Sequence, residues 1–153
     1  MTNPQIRIGS SVVTLLLFLS APLPAQDSTV YTAVAAGSFF TCALSREGAA
    51  YCWGFGRYGE LGNGDTTSSQ VPRPVRLPDS TRFTSLALGQ YHACALGADS
   101  LAFCWGGNWG GQLGTESSAE TCSVPKKPEQ TFACSVRPRP VAGNRHFGAI
   151  SGR

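Results

Sequence analysis

"YCWGFGRYGELGNG" (residues 51–64) holds Gly54, Gly56 and Gly59 in the spacing G-x-G-x-x-G. In a dinucleotide-binding loop such glycines turn a strand into a helix whose N-terminus holds a pyrophosphate. The chain continues "ELGNGDTTSSQVPRPV", with Gly62, Gly64, Pro72, Pro74 and no apolar i, i+3, i+4 pattern, so no useful helix fits. Residues 103–116, "FCWGGNWGGQLGTE", repeat the stretch, and Gly106 stands 52 positions after Gly54. There Asn108 replaces Gly56. A loop whose backbone must touch phosphate has no room for that side chain, whereas a turn accepts Gly or Asn at positive φ. The glycines therefore read as turn chemistry, and no cofactor is expected.

The repeat extends outward from this stretch. "GSFFTCALSREGAAYCWGFGRYGELG" (37–62) aligns without a gap on "GQYHACALGADSLAFCWGGNWGGQLG" (89–114), with 11 of 26 positions identical. "RFTSLALG" (82–89) resembles "HFGAISGR" (146–153), with Phe83 answering Phe147 and Leu86 answering Ile150. Arg73-Pro74-Val75 and Arg139-Pro140-Val141 precede these segments. A period near 50 residues, with Gly 18 and Pro 10 in 153 residues, points to short strands joined by tight turns rather than to helices. The division expected is a leader over 1–25, a first repeat over 26–80, a second over 81–145 and the start of a third over 146–153.

The first 25 residues read as a secretory signal. Arg7 is their only charge, an apolar run from Ile8 to Ser20 follows, and "APLPAQ" supplies breakers and small residues. Cleavage is expected after Ala25, with Leu23 and Ala25 at the −3 and −1 positions. No second apolar segment follows, so no membrane span is expected after cleavage. Eleven basic and nine acidic residues would remain, too balanced for a nucleic-acid footprint.

Six cysteines accompany the repeats. In "CALSREGAAYC" and "CALGADSLAFC" they are placed symmetrically about Glu47 and Asp99, so each pair lies cross-strand in a hairpin. Cα atoms of facing, non-hydrogen-bonded residues lie about 4.5 Å apart, within disulfide range. Export favours oxidation. The pairs expected are Cys42–Cys52 and Cys94–Cys104. Cys122 and Cys134 fall in a loop peculiar to the second unit, 26 residues from Gly114 to Pro140 against 12 from Gly62 to Pro74, and are expected to close it. A metal site is not expected: no C-x-x-C is present, His92 stands where the first unit has Phe40, and His146 has no Cys nearby in sequence.

The pattern of a Gly before an His-Thr-Cys-Ala-Leu-like strand, then Cys-Trp-Gly, Gly-Gln-Leu-Gly and Pro-Val, resembles the regulator of chromosome condensation repeat family. The second unit carries it at Gly89, His92–Leu96, Cys104–Gly106 and Gly111–Gly114; the first departs at Phe40 and Glu60. The resemblance covers about residues 33–153. It implies an all-β fold of propeller blades, each a four-stranded antiparallel sheet, in a ring of usually seven. Here about two blades and the start of a third would form an incomplete ring, so the chain is expected to be partial, or to self-associate. The leader and repeat together look bacterial.

Trp53 and Trp105 are expected to pack blade on blade. Trp109, with Arg57 at its equivalent position, lies in a Gly-rich turn; Arg57, Tyr58 and Trp109 are the candidate interaction residues. No nucleophile with a base is found, and Glu47 and Asp99 read as solvated turn residues, so no catalytic site is expected. The functional expectation is an exported module binding a protein or surface ligand through loops 57–70 and 115–135. The resemblance also implies alternatives: a guanine-nucleotide exchange regulator, or part of a larger secreted enzyme or inhibitor, as with exported relatives that inhibit β-lactamases.

Overall fold

Thr41, Cys42, Ala43 and Leu44 alternate with the pleat, and the Ser45-to-Gly48 segment reverses the chain. The result is a hairpin of β2 (Phe40–Ser45) and β3 (Ala50–Gly54), closed by the Ser45 N–H on the Ala49 carbonyl at 2.8 Å. The second unit repeats it as β6 (His92–Gly97) and β7 (Ala102–Gly107), closed by the Gly97 N–H on the Leu101 carbonyl at 2.8 Å. Cys42 faces Cys52 and Cys94 faces Cys104, with Cα atoms 4.1 Å apart in both disulfides.

A computed structural model describes residues 28–78, 80–115, 120–124, 126–143 and 145–152. The leader over 1–25 and its cleavage after Ala25 lie outside the described residues. Two antiparallel sheets form, and the described residues contain no helix. In the first sheet β1 (Tyr31–Ala36) and β4 (Ser69–Pro74) flank the hairpin in the order β1-β2-β3-β4. In the second, β5 (Phe83–Leu88) lies beside β6, and the order is β5-β6-β7-β9-β8. Strand β8 (Glu120–Val124) and the first half of β9 (Lys127–Pro140) arise from the inserted loop, while the end of β9 pairs with β7 as β4 pairs with β3. The second blade therefore has five strands where four are expected: the insertion is itself a hairpin, added to the outer edge. Cys122 pairs with Cys134 at a Cα separation of 5.8 Å, and all six cysteines are in disulfides.

Equivalent bonds recur in the two units, both within each blade and from each blade to the segment that follows. The Phe83 N–H donates to the Gly48 carbonyl at 2.8 Å, as Phe147 does to Ser100 at 2.9 Å. The Val75 and Val141 N–H groups donate to Ala50 and Ala102, each at 2.9 Å. Residues from His146 onward thus begin to dock on the second blade as β5 docks on the first.

The core lies between the sheets. Cys42, Ala50, Cys52, Leu61 and Val75 of the first meet Phe83, Ala93, Ala95, Phe103 and Trp105 of the second. Trp105 is fully buried, stacked on Phe83 at 6.0 Å between centroids. Its indole N–H donates to the Glu60 carbonyl at 2.9 Å. Gly62 lies against the ring, and a Cβ there would come within 2.7 Å of Nε1. The Glu-Leu-Gly segment of one blade is thus a socket for the tryptophan of the next.

One expectation about the turns is overturned. Gly54 and Gly59 do take positive φ, at 108° and 84°, but neither Gly56 nor Asn108 does. Gly56 is needed for space, since a Cβ would meet the Thr67 carbonyl oxygen at 2.5 Å. Asn108 instead accepts the Leu113 N–H through Oδ1 at 3.1 Å.

The hairpin turns differ at one equivalent position. Gly48 has φ 80°, whereas Ser100 holds φ 68°, where a side chain is strained. Ser100→Gly is expected to stabilise the fold by roughly 0.5–1 kcal/mol, the relieved strain less glycine's extra chain entropy. Urea titration checks it; an unchanged or lower midpoint counts against it.

Candidate functional site

The short turns before β2 and β6 throw two aromatics outward. The Gly37 N–H closes on the Phe40 carbonyl and the Gly89 N–H on the His92 carbonyl, each at 2.9 Å. The rings of Phe40 and His92 fold back over Gly37 and Gly89, leaving no room for a Cβ. Burial lowers the pKa of His92 and keeps its ring neutral. With positions 40 and 92 turned in, the preceding residues, Phe39 and Tyr91, point to the rim. They stack on each other across the two blades at 6.0 Å.

Four more rings join them at the same end. Phe55, just after β3, lies 6.4 Å from Phe39 and 5.6 Å from Tyr58. Tyr58 is central: it contacts Tyr91 at 4.8 Å, Phe132 at 5.2 Å and Trp109 at 5.5 Å. Trp109 also meets Tyr91 at 5.5 Å and Phe132, on β9, at 5.4 Å. The Tyr58 backbone is held by the Glu60 carboxylate, which accepts its N–H at 2.7 Å. Glu60 is fully buried, and its other oxygen has no partner among the described residues. Burial pushes its carboxyl up to about 7.

Six aromatic rings therefore form one cross-blade surface. Phe39 is 59% exposed and Trp109 52%, too open for core residues. Large rings offered to solvent on a strand scaffold supply contact area at low entropy cost, as in protein interfaces.

Of the residues singled out in the sequence, Tyr58 and Trp109 lie in this surface. Arg57 lies outside it and faces a neighbouring groove of about 340 Å³, lined also by Thr66, Thr121, Ser123 and Lys126. The groove brings together parts of both loops, 57–70 and 115–135. The sequence pattern does not single out Phe39, Phe55, Tyr91 and Phe132. The aromatic character of positions 39 and 91, equivalent in the repeat, was their signal. Glu47 and Asp99 sit in the β2–β3 and β6–β7 turns at the opposite end of the blades. His146 donates its Nδ1–H to the Asp99 carbonyl oxygen, 2.9 Å away.

The profile of the regulator of chromosome condensation (RCC1) repeat matches residues 47–96, and a second profile of the same repeat matches residues 31–60. The chain belongs to the regulator of chromosome condensation repeat family. Among its relatives is the RCC1 domain-containing protein RUG3, mitochondrial, of Arabidopsis thaliana, 39% identical over 112 residues, covering 72% of this chain and 25% of that protein. The Arabidopsis ultraviolet-B receptor UVR8 is 32% identical over 149 residues, covering 97% of this chain and 33% of the receptor. The human E3 ubiquitin-protein ligase HERC2 is 37% identical over 99 residues, which cover 63% of this chain and 2% of the ligase. The chain thus spans a third or less of the length of these relatives. Among solved structures, yeast RCC1 (Prp20) bound to Kap60 superposes with a TM-score of 0.67 at 19% identity, over 80% of this chain and 28% of that one. Human WBSCR16 gives 0.59 at 19% identity, over 82% and 27%. These likenesses show the blade fold of the RCC1 family.

Proposed function

We propose that the chain is an exported binding module that takes a protein ligand on the aromatic rim of Phe39, Phe55, Tyr58, Tyr91, Trp109 and Phe132. One observation carries the reading: six rings from separate segments of two blades converge on one exposed patch, with Phe39 and Trp109 more than half open. Such anchors contribute most of the binding energy in protein interfaces. Arg57 and Lys126, in the adjoining groove, provide a polar, cationic border. The three disulfides favour an oxidising compartment, which agrees with export.

Immobilised, oxidised chain is expected to retain a discrete protein from the extracytoplasmic fraction of its host. The double variant Phe39→Ala/Trp109→Ala should lose at least about 30-fold in retention, as for two truncated anchors. Val71→Ala, at a residue 59% exposed but outside the rim, should retain it fully. Equal retention by both variants would refute the rim as the contact surface.

A further inference from the structure

The inserted hairpin places β8 at the edge of the second sheet. The register decides which of its backbone groups point outward. The Asn108 N–H, just after β7, donates to the Ala133 carbonyl at 2.8 Å, so Ala133 turns its backbone groups toward β7. Its neighbours on β9, Phe132 and Cys134, therefore turn theirs toward β8, where Cys122 and Glu120 lie opposite them. Thr121 and Ser123 face Ala133 and Thr131, and direct their own N–H and C=O groups away from β9. No strand among the described residues takes those groups up. An open edge of this kind is a template for a further strand.

The edge forms one wall of the groove of about 340 Å³ beside the rim, through four successive residues, Thr121 to Val124. Successive side chains of a strand point to opposite faces. A groove that meets all four therefore runs along the strand's edge rather than over one face. Arg57 and Thr66 of the first blade supply the other wall, and Lys126 stands at the hairpin's tip. Both charged residues lining the groove are cations. The acid on β8, Glu120, is engaged elsewhere: it pairs with Arg139 at 3.6 Å and accepts the Val136 N–H at 2.6 Å. Asp65, beside Thr66, accepts the Thr67 N–H at 2.7 Å and lines a different groove. The Cys122–Cys134 disulfide ties β8 to β9, which holds the edge in strand geometry before anything binds.

We propose that the groove takes an extended, acidic segment of a protein ligand, which adds to β8 as a further strand and sets its carboxylates on Arg57 and Lys126. Backbone bonds to Thr121 and Ser123 fix the segment's register, and side chains at every second position face the two cations. A second copy of this chain is not the occupant, because pairing two β8 edges brings two sets of Arg57 and Lys126 together. The inference rests on the reading of the chain as a protein-binding module, and supplies the conformation and charge of what it binds. It does not require the aromatic rim.

The probe is a short fluorescent peptide alternating threonine with glutamate, titrated with the full oxidised chain at low salt. A saturable rise in anisotropy is expected. Ser123→Pro removes one outward N–H at an edge position where proline is tolerated, and should weaken binding at least about 10-fold. Arg57→Glu/Lys126→Glu should weaken it at least about 10-fold and admit a threonine–lysine peptide that the parent rejects. The glutamate peptide N-methylated on every amide keeps its charge but has no N–H with which to pair as a strand. It should bind the parent at least about 10-fold more weakly, a comparison that needs no variant to fold. Phe39→Ala/Trp109→Ala should bind the glutamate peptide like the parent, so failure of the rim and failure of this groove are read separately. No saturable binding of the glutamate peptide would overturn the proposal. So would equal binding of the N-methylated peptide, which marks a general anion groove, or undiminished binding by either groove variant.

Discussion

Trp105→Ala is expected to destabilise the fold by about 4–5 kcal/mol and to uncouple the two blades. The removed ring is fully buried and stacked on Phe83. Losing a buried tryptophan costs about 3–5 kcal/mol in transfer and cavity terms. The Glu60 carbonyl also loses its donor at the centre of the joint, which adds about 1 kcal/mol or more. Trp53→Ala, although the same substitution at the equivalent position, should cost only about 1 kcal/mol, because its ring is half-buried where that of Trp105 is fully buried. Denaturant unfolding of both variants separates the cases. Similar losses would contradict a blade joint built on Trp105.

The second large effect concerns Glu60 and pH. Its carboxyl is buried and raised from the ordinary 4.5 to about 7. Between these values the folded chain holds a proton that the unfolded chain has released. Stability is therefore fully present below pH 4.5, falls as pH rises through 7, and then levels off. The difference of 2.5 pH units corresponds to about 3 kcal/mol. Glu60→Gln should abolish this slope, matching the parent near pH 4.5 and exceeding it by about 3 kcal/mol at pH 8. Glutamine suits the site, since Gln112 makes the same bond to the N–H two residues before it. Urea unfolding at several pH values checks it; parallel curves for parent and variant would show that Glu60 is not the titrating group.

Much of this fold is written in the chain's own repetition. The hairpins follow from strands of alternating pattern about a polar turn, and the disulfides Cys42–Cys52 and Cys94–Cys104 from their symmetry. The added hairpin of β8 and β9 was harder to read. Pro125, Pro128 and three charges interrupt any strand pattern there, and the disulfide is diagonal: Cys122 faces Phe132, while Cys134 faces Glu120. Its spacing announces a closed loop but not a ladder. Trp53 and Trp105 are indistinguishable in sequence and differ in structure, because among the described residues only Trp105 meets a socket supplied by another blade. Only two of the six rim rings are legible in the sequence. Tyr58 and Trp109 stand out in a glycine-rich turn, but the surface also needs Phe39, Phe55, Tyr91 and Phe132. Those four come from segments that only the stacking of two blades brings together.

Photo-crosslinking tests the aromatic rim as the contact surface directly. A photoreactive phenylalanine analogue is placed at position 109 in one sample and at position 71 in another, and both are irradiated with the host's extracytoplasmic fraction. Both sites are exposed, at 52% and 59%, but only the first lies in the rim. A discrete protein adduct from position 109, absent from position 71 and lost with Phe39→Ala, is the result expected. No adduct at 109, or the same adduct from both positions, would contradict it.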